Sequence, residues 1–200
     1  MRRQVLVIHG GSTFDTFEKY VSYLKNSEIQ IKNLKFKKGW KGNLTEKLGK
    51  DFDVLLPQMP NKTSAHFKEW KIWFEKIIPF LENNVILVGH SLGGIFLVKY
   101  LSENDISKKI KATILVSAPF DDEKTGRSLA DFKLTSPLTK FAEQSGKIYL
   151  IQSKDDPEVP FENIEKYKKA FPQAETITFE NREHFNQENF LEIIELIKSL

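Results

Sequence analysis

Ser91 lies in Gly89-His90-Ser91-Leu92-Gly93, with a glycine two residues away on each side. Further along come Asp155-Asp156-Pro157 and then His184. These residue types suit one chemistry. A serine hydroxyl is a weak nucleophile until an imidazole takes its proton, and a carboxylate makes that imidazole effective by fixing its tautomer and orientation. The glycines have a steric task. A strand that reverses into a helix at one residue leaves no room for a flanking Cβ, and it drives the serine toward positive φ. With 10 glycines in the chain, chance produces this spacing only roughly 0.03 times.

Four histidines are present, so the search for a base is short. His9 stands at the exit of the first predicted strand, His66 on a predicted helix and His90 inside the serine motif. His184 alone follows the acidic candidates, in a loop between the last predicted strand and the last helix. For the acid, the turn Ser153-Lys154-Asp155-Asp156-Pro157-Glu158-Val159-Pro160 follows a predicted strand. Carboxylates at such strand ends point into the ligand crevice of a parallel sheet. Asp156 is assigned to the imidazole and Asp155 to support of the turn, with Asp121 or Asp122, after the preceding strand, as the rival acid. An oxyanion needs two N–H donors. Leu92, opening a helix, supplies one; in the loop His9-Gly10-Gly11-Ser12, Gly11 is the first choice for the other and Ser12 the alternative. The Gly-Gly pair is not read as a phosphate cradle, because neither Gly-Lys-Ser/Thr nor G-x-G-x-x-G is present.

These groups must be held by a framework. Apolar runs at residues 5–8, 54–56, 85–88, 113–117, 148–152 and 176–179 read as strands. They alternate with helical patterns at 14–24, 64–81, 93–101, 161–171 and 187–199. That alternation predicts an α/β protein: a three-layer αβα sandwich around a mainly parallel sheet of about six strands, one domain over residues 1–200. Phe67, Trp70, Phe74 and Ile77 form a core stripe at helical spacing, and Trp73 falls off it. Residues 27–51 are the least readable; a short strand near 29–31 and a helical turn near 44–48 are expected there. Only one small excursion fits between the fourth and fifth strands, so the cap is minimal and the site open. Phe14, Phe120 and Phe185 adjoin the site loops, and each is read either as acyl-pocket lining or as core.

Composition narrows the class. A 40% apolar, 28% charged chain with net charge +3 is an ordinary globular protein without the concentrated basic face of a nucleic-acid binder. Lys32, Lys35, Lys37, Lys38 and Lys41 form the densest basic stretch, broken by Leu34, Phe36 and Trp40. Its default reading is a solvated loop or edge element, and an anionic-ligand patch is the alternative. Cysteine is absent, which removes disulfides and thiolate metal sites. The apolar run at 5–8 is too short for a signal-peptide core and no run approaches membrane-spanning length, so the expectation is a soluble cytoplasmic protein.

Taken together, the His9-Gly10-Gly11 loop, Gly89-His90-Ser91-Leu92-Gly93-Gly94, the Asp155-Asp156-Pro157 turn and His184-Phe185 resemble the α/β-hydrolase superfamily. More narrowly they resemble the small serine hydrolases of the retinoblastoma-binding-protein-9 type. The Ser-x-Asp-Asp-Pro-x-x-Pro turn and the 28 positions from Asp156 to His184 carry the narrower match. The likeness implies Ser91 as nucleophile, Asp156 as acid and His184 as base. One departure is Glu183, where the family often has glycine. The reading is a serine hydrolase cleaving an ester, thioester or activated amide through an acyl-enzyme, with a small-molecule acyl substrate and no metal or organic cofactor. A protein-interaction module on the same scaffold, with a protein partner, and an acyltransferase are the alternatives.

Overall fold

Six short apolar segments pair into one parallel sheet: β1 (Arg3–Ile8), β2 (Phe52–Leu55), β3 (Val85–His90), β4 (Ile110–Val116), β5 (Lys147–Ser153) and β6 (Glu175–Phe179). The computed structural model describes residues 2–35 and 38–200. Strand order is β2-β1-β3-β4-β5-β6. Successive residues point to opposite faces, so each central strand feeds two cores. Leu6 and Ile8, Val85 and Leu87, and Ile148 and Leu150 join one cluster; Val5 and Val7, Ile86 and Val88, and Tyr149 and Ile151 join the other. Each such aliphatic side chain contributes about 1.5–3 kcal/mol on full burial, which explains why these strands are continuously apolar.

The first cluster is covered by α4 (Phe67–Ile77), α5 (Leu92–Glu103), α6 (Thr139–Gln144) and α7 (Glu162–Ala170); the second by α3 (Trp40–Leu48) and α8 (Leu191–Ser199). Three layers result. Helix α4 buries Phe67, Trp70 and Phe74 as the spacing predicted, and leaves Trp73 44% exposed. Among the described residues no helix is long and apolar enough to cross a membrane.

Two expectations need correction, and a choice left open between two readings is resolved. Residues 29–31 form no strand: Ile29 and Ile31 are 76% and 74% exposed, and α2 (Ile31–Leu34) begins there. Three alternating residues cannot separate a strand from a helix, and here no neighbouring strand pairs with them. The helical turn expected at 44–48 is real but starts earlier, because Trp40 is buried against Phe190 with ring centroids 5.4 Å apart. None of the three phenylalanines lines the crevice at Ser91. Phe185 is fully buried against Phe179 and Phe190, Phe120 packs on Tyr167, and Phe14 lines a side cavity near Tyr23. Of the basic stretch, Phe36 and Lys37 lie outside the described residues.

Two features of this frame position the site. The chain leaves β1 toward β2 on one side and returns to β3 on the other, so a crevice opens where the C-terminal ends of β1 and β3 diverge. The excursion between β4 and β5 packs back against α4 and brings Arg127 to the wall of that crevice. Its Phe132 lies edge-on to Trp70 at 5.2 Å, and Asp131 accepts the Phe67 N–H at 2.9 Å, capping α4 from 64 residues away.

Candidate active site

Ser91 follows β3 and caps α5 with φ 54° and ψ −124°, in the positive-φ region that its glycine neighbours had implied. Its N–H donates to Val116 O at 2.8 Å and its carbonyl accepts from Gly94 N–H at 2.8 Å, so the turning residue is held from both sides. The glycines are required by contact. A Cβ on Gly89 would lie 2.6 Å from Gly94 Cα, and one on Gly93 would lie 2.3 Å from Ile8 O. Both are inside van der Waals contact, so β1, β3 and α5 approach this closely only with bare backbone.

The loop after β1 comes up against the serine. A Cβ on Gly10 would stand 3.4 Å from Ser91 Oγ, and one on Gly11 only 2.6 Å from Lys62 O. His9 locks this loop. Met59 N–H donates to His9 Nε2 at 2.8 Å, which leaves the proton on Nδ1 to donate to Gly10 O at 2.6 Å. Burial holds the His9 pKa below its ordinary value, with Lys62 and Lys41 adding to the effect against the pull of the Gly10 carbonyl. Of the two oxyanion candidates, the Ser12 N–H already donates to Lys62 O at 2.8 Å. The Gly11 and Leu92 N–H groups have no acceptor among the described residues.

On the opposite wall, His184 Nδ1 meets both carboxylate oxygens of Asp156, at 3.0 and 2.9 Å. The Asp156 side chain is fully buried and its oxygens are saturated. Ser117 Oγ and Gln152 Nε2 donate to Oδ2 at 2.7 and 3.1 Å, and the Glu158 and Val159 N–H groups donate to Oδ1 at 2.8 and 3.0 Å. Burial alone would raise this carboxyl's pKa. The hydrogen bond and charge of His184, with the Ser117 and Val159 donors, outweigh it and hold the group below the usual aspartate range. Asp155 does different work. Its Oδ1 accepts from Ser153 Oγ at 2.5 Å and from Glu183 N–H at 2.9 Å, tying the loop after β5 to the loop that carries His184. Glu183 has φ 47°, which accounts for a glycine being common there.

Asp121 and Asp122 are drawn elsewhere, to Lys166 at 2.5 Å and Lys133 at 2.8 Å. Ser91 and His184 line one pocket of about 500 Å³, but among the described residues no hydrogen bond joins them. Unliganded sites commonly hold such pairs at longer range than the reacting complex does.

Three participants were not singled out by the sequence reading. Ser117 and Gln152 brace the aspartate; the position of Ser117 at the end of a predicted strand was the available signal. His90, the variable residue of the motif, donates from Nε2 to the His184 carbonyl at 2.8 Å and accepts from Lys41 Nζ at 3.2 Å on Nδ1. Its burial, with the nearby Lys41 charge, pushes its pKa well below the histidine norm and keeps the ring neutral.

A six-stranded parallel sheet covered on both faces, with a strained serine between a strand and a buried helix, defines an α/β hydrolase. The serine hydrolase family model matches residues 35–199, and the chain belongs to that family. It is 27% identical over 172 residues to Serine hydrolase RBBP9 of Rattus norvegicus, covering 81% of this chain and 86% of that protein. Among solved structures it is similar to the ydeN gene product of B. subtilis, with TM-score 0.73, 20% identity and coverage of 98% and 97% of the two chains. It is also similar to Est1E of Butyrivibrio proteoclasticus, with TM-score 0.58, 17% identity and coverage of 99% and 86%.

Proposed function

We propose that this serine hydrolase works through Ser91, His184 and Asp156, cleaving an ester, thioester or activated amide by way of an acyl-enzyme. The observation that carries the reading is the two-oxygen seating of His184 Nδ1 on a fully buried, negatively charged Asp156. That seating puts the ring proton on Nδ1 and leaves Nε2 as the basic nitrogen in the pocket it shares with Ser91. Nε2 takes the Ser91 proton as Oγ attacks the carbonyl carbon, and the tetrahedral oxyanion is held by the Leu92 N–H. Gly11 supplies the second donor, a role supported by the engagement of Ser12 with Lys62. Each such donor is worth about 10²–10³ in rate. The imidazolium then protonates the leaving group, and water repeats the sequence to free the acid.

A fluorophosphonate probe tests this directly. Stoichiometric labelling mapped to the peptide carrying Ser91 is expected. Labelling at another serine, or none, overturns the assignment. Product analysis with added alcohols or amines separates hydrolysis from acyl transfer.

A further inference from the structure

The lysines that this protein buries, wholly or in part, are mostly paired. Lys99 is buried with Nζ 3.1 Å from Glu103 and 2.6 Å from Lys133 O. Lys166 sits between Asp121 and Glu123, and Lys71 between Glu75 and Asn104. Lys41 differs. It is half-buried on the first turn of α3, with Nζ 4.8 Å from the Trp40 ring centroid and 3.2 Å from the neutral His90 Nδ1. Among the described residues it has no carboxylate partner, and burial brings its pKa down to about 8. Removing an ammonium from water without a counter-charge is costly unless a ligand supplies one.

Its surroundings are cationic too. Lys41 lines the Ser91 pocket with Lys62, which is exposed and has no ion-pair partner among the described residues, and with Arg127. The one carboxylate among the described residues that line this pocket, Glu158, is spent on Arg127 at 2.5 Å. Two unmatched ammonium groups therefore face a cavity of about 500 Å³ beside the serine.

We propose that this pocket takes a substrate carrying a carboxylate in addition to its scissile ester, thioester or amide, with the Lys41 ammonium as counter-ion and Lys62 as a second, more solvated one. The proposal rests on the hydrolase reading of Ser91 above. It makes Lys41 a determinant of specificity.

The test compares matched substrate pairs. One pair is 4-nitrophenyl hydrogen glutarate against 4-nitrophenyl valerate, which places the carboxylate in the acyl part. The other is the butyryl ester of 3-hydroxybenzoate against that of 3-hydroxybenzamide, which places it in the leaving group. In at least one pair the anionic member is expected to have a kcat/KM about tenfold higher at low salt, with the advantage shrinking as ionic strength rises. Lys41→Met should cut the ratio at least about fivefold, mainly through KM of the anionic member, and Lys41→Arg should restore most of it. Reading a ratio makes the result independent of any change that Lys41→Met makes through His90. The salt titration of the unmodified enzyme tests the proposal even if that variant fails to fold. Turnover of both members of both pairs without an anionic advantage overturns the pocket assignment and leaves the Ser91 reading standing. Failure of Ser91 to label, with no ester turned over, overturns both.

Discussion

Helix α5 leaves β3 with eleven of its twelve residues buried, whereas α1 (Phe17–Asn26), the first helix after β1, has none. Both follow central strands at the same end of the sheet, yet they are held by different means. Helix α5 is apolar apart from Lys99, Ser102 and Glu103 and sits between sheet and helices, so the backbone at Ser91 cannot relax without disturbing the core. The chain after β1 is pinned chiefly through its loop, with one further hydrogen bond between Tyr20 Oη of α1 and Thr63 Oγ1 at 3.3 Å. Ser12 bonds to Lys62 and Ala65, and Thr13 Oγ1 donates to Ser128 O at 2.5 Å. Beyond that, α1 rests on a Thr16 cap and on a surface cluster of Phe14, Phe17, Tyr20 and Tyr23. The serine assigned to bond making stands on the densely packed side. A side chain substituted on α5 or its flanking glycines must displace packed backbone, while one on α1 meets solvent.

The largest effect expected is at Ser91, the half-buried hydroxyl at the head of α5. Ser91→Ala should abolish fluorophosphonate labelling and lower ester turnover by at least about 10⁴-fold with the fold intact, as circular dichroism would report. Stoichiometric labelling of the variant would move the nucleophile elsewhere.

Next is the division of labour between adjacent aspartates. Asp156→Asn keeps the shape but offers an amide to Nδ1, and about a hundredfold loss in kcat is a cautious expectation for the wrong tautomer. Asp155→Asn, Asp121→Asn and Asp122→Asn should each lose under about tenfold. A reversed ranking in steady-state kinetics would move the acid.

The comparison of helices is tested most directly by stability. Gly93→Ala forces a methyl against Ile8 O and His9 O and should cost about 2 kcal/mol or more in denaturant unfolding. Leu24→Ser, on half-exposed α1, should stay within about 0.5 kcal/mol. Equal losses would show that α1 is as firmly integrated as α5.

The smallest effect belongs to pH. The anionic-substrate advantage requires charged Lys41, so it should be full below about pH 8 and fade as pH rises through that value. The groups around that ammonium are His90 and the Trp40 ring in contact, with Lys62, Arg127, Glu158, His9 and His184 lining the same pocket. His90, held neutral, takes no part in that transition. A ratio independent of pH from 7 to 9.5 would remove Lys41 from specificity.

The four inner strands were legible because burial on both faces of a doubly covered sheet produces continuous apolar runs, edge strands β2 and β6 through shorter or alternating ones, and the α4 stripe because 3.6-residue spacing singles out Phe67, Trp70 and Phe74. The turn at Ser91 was legible for a different reason. The glycine requirement is a contact between residues two positions away and the backbone they approach, so it leaves its mark within five residues. Residues 29–31 were misread because three alternating positions carry too little period, and Phe185 was left ambiguous because adjacency to a site loop says nothing about which way a side chain turns.

By itself, then, the sequence determined the α/β alternation, the strained serine and the order in which Ser91, Asp156 and His184 occur, since each is encoded in local sterics or periodicity. Only the tertiary structure decided which partners meet across long separations. It joined Asp156 to His184 and sent Asp121 to Lys166; it set Asp131 on the start of α4, and it brought Lys41 through His90 to the wall beside Ser91. Such pairings depend on how whole layers pack, and packing is a property of the assembled sheet and helices that no short window of residues contains.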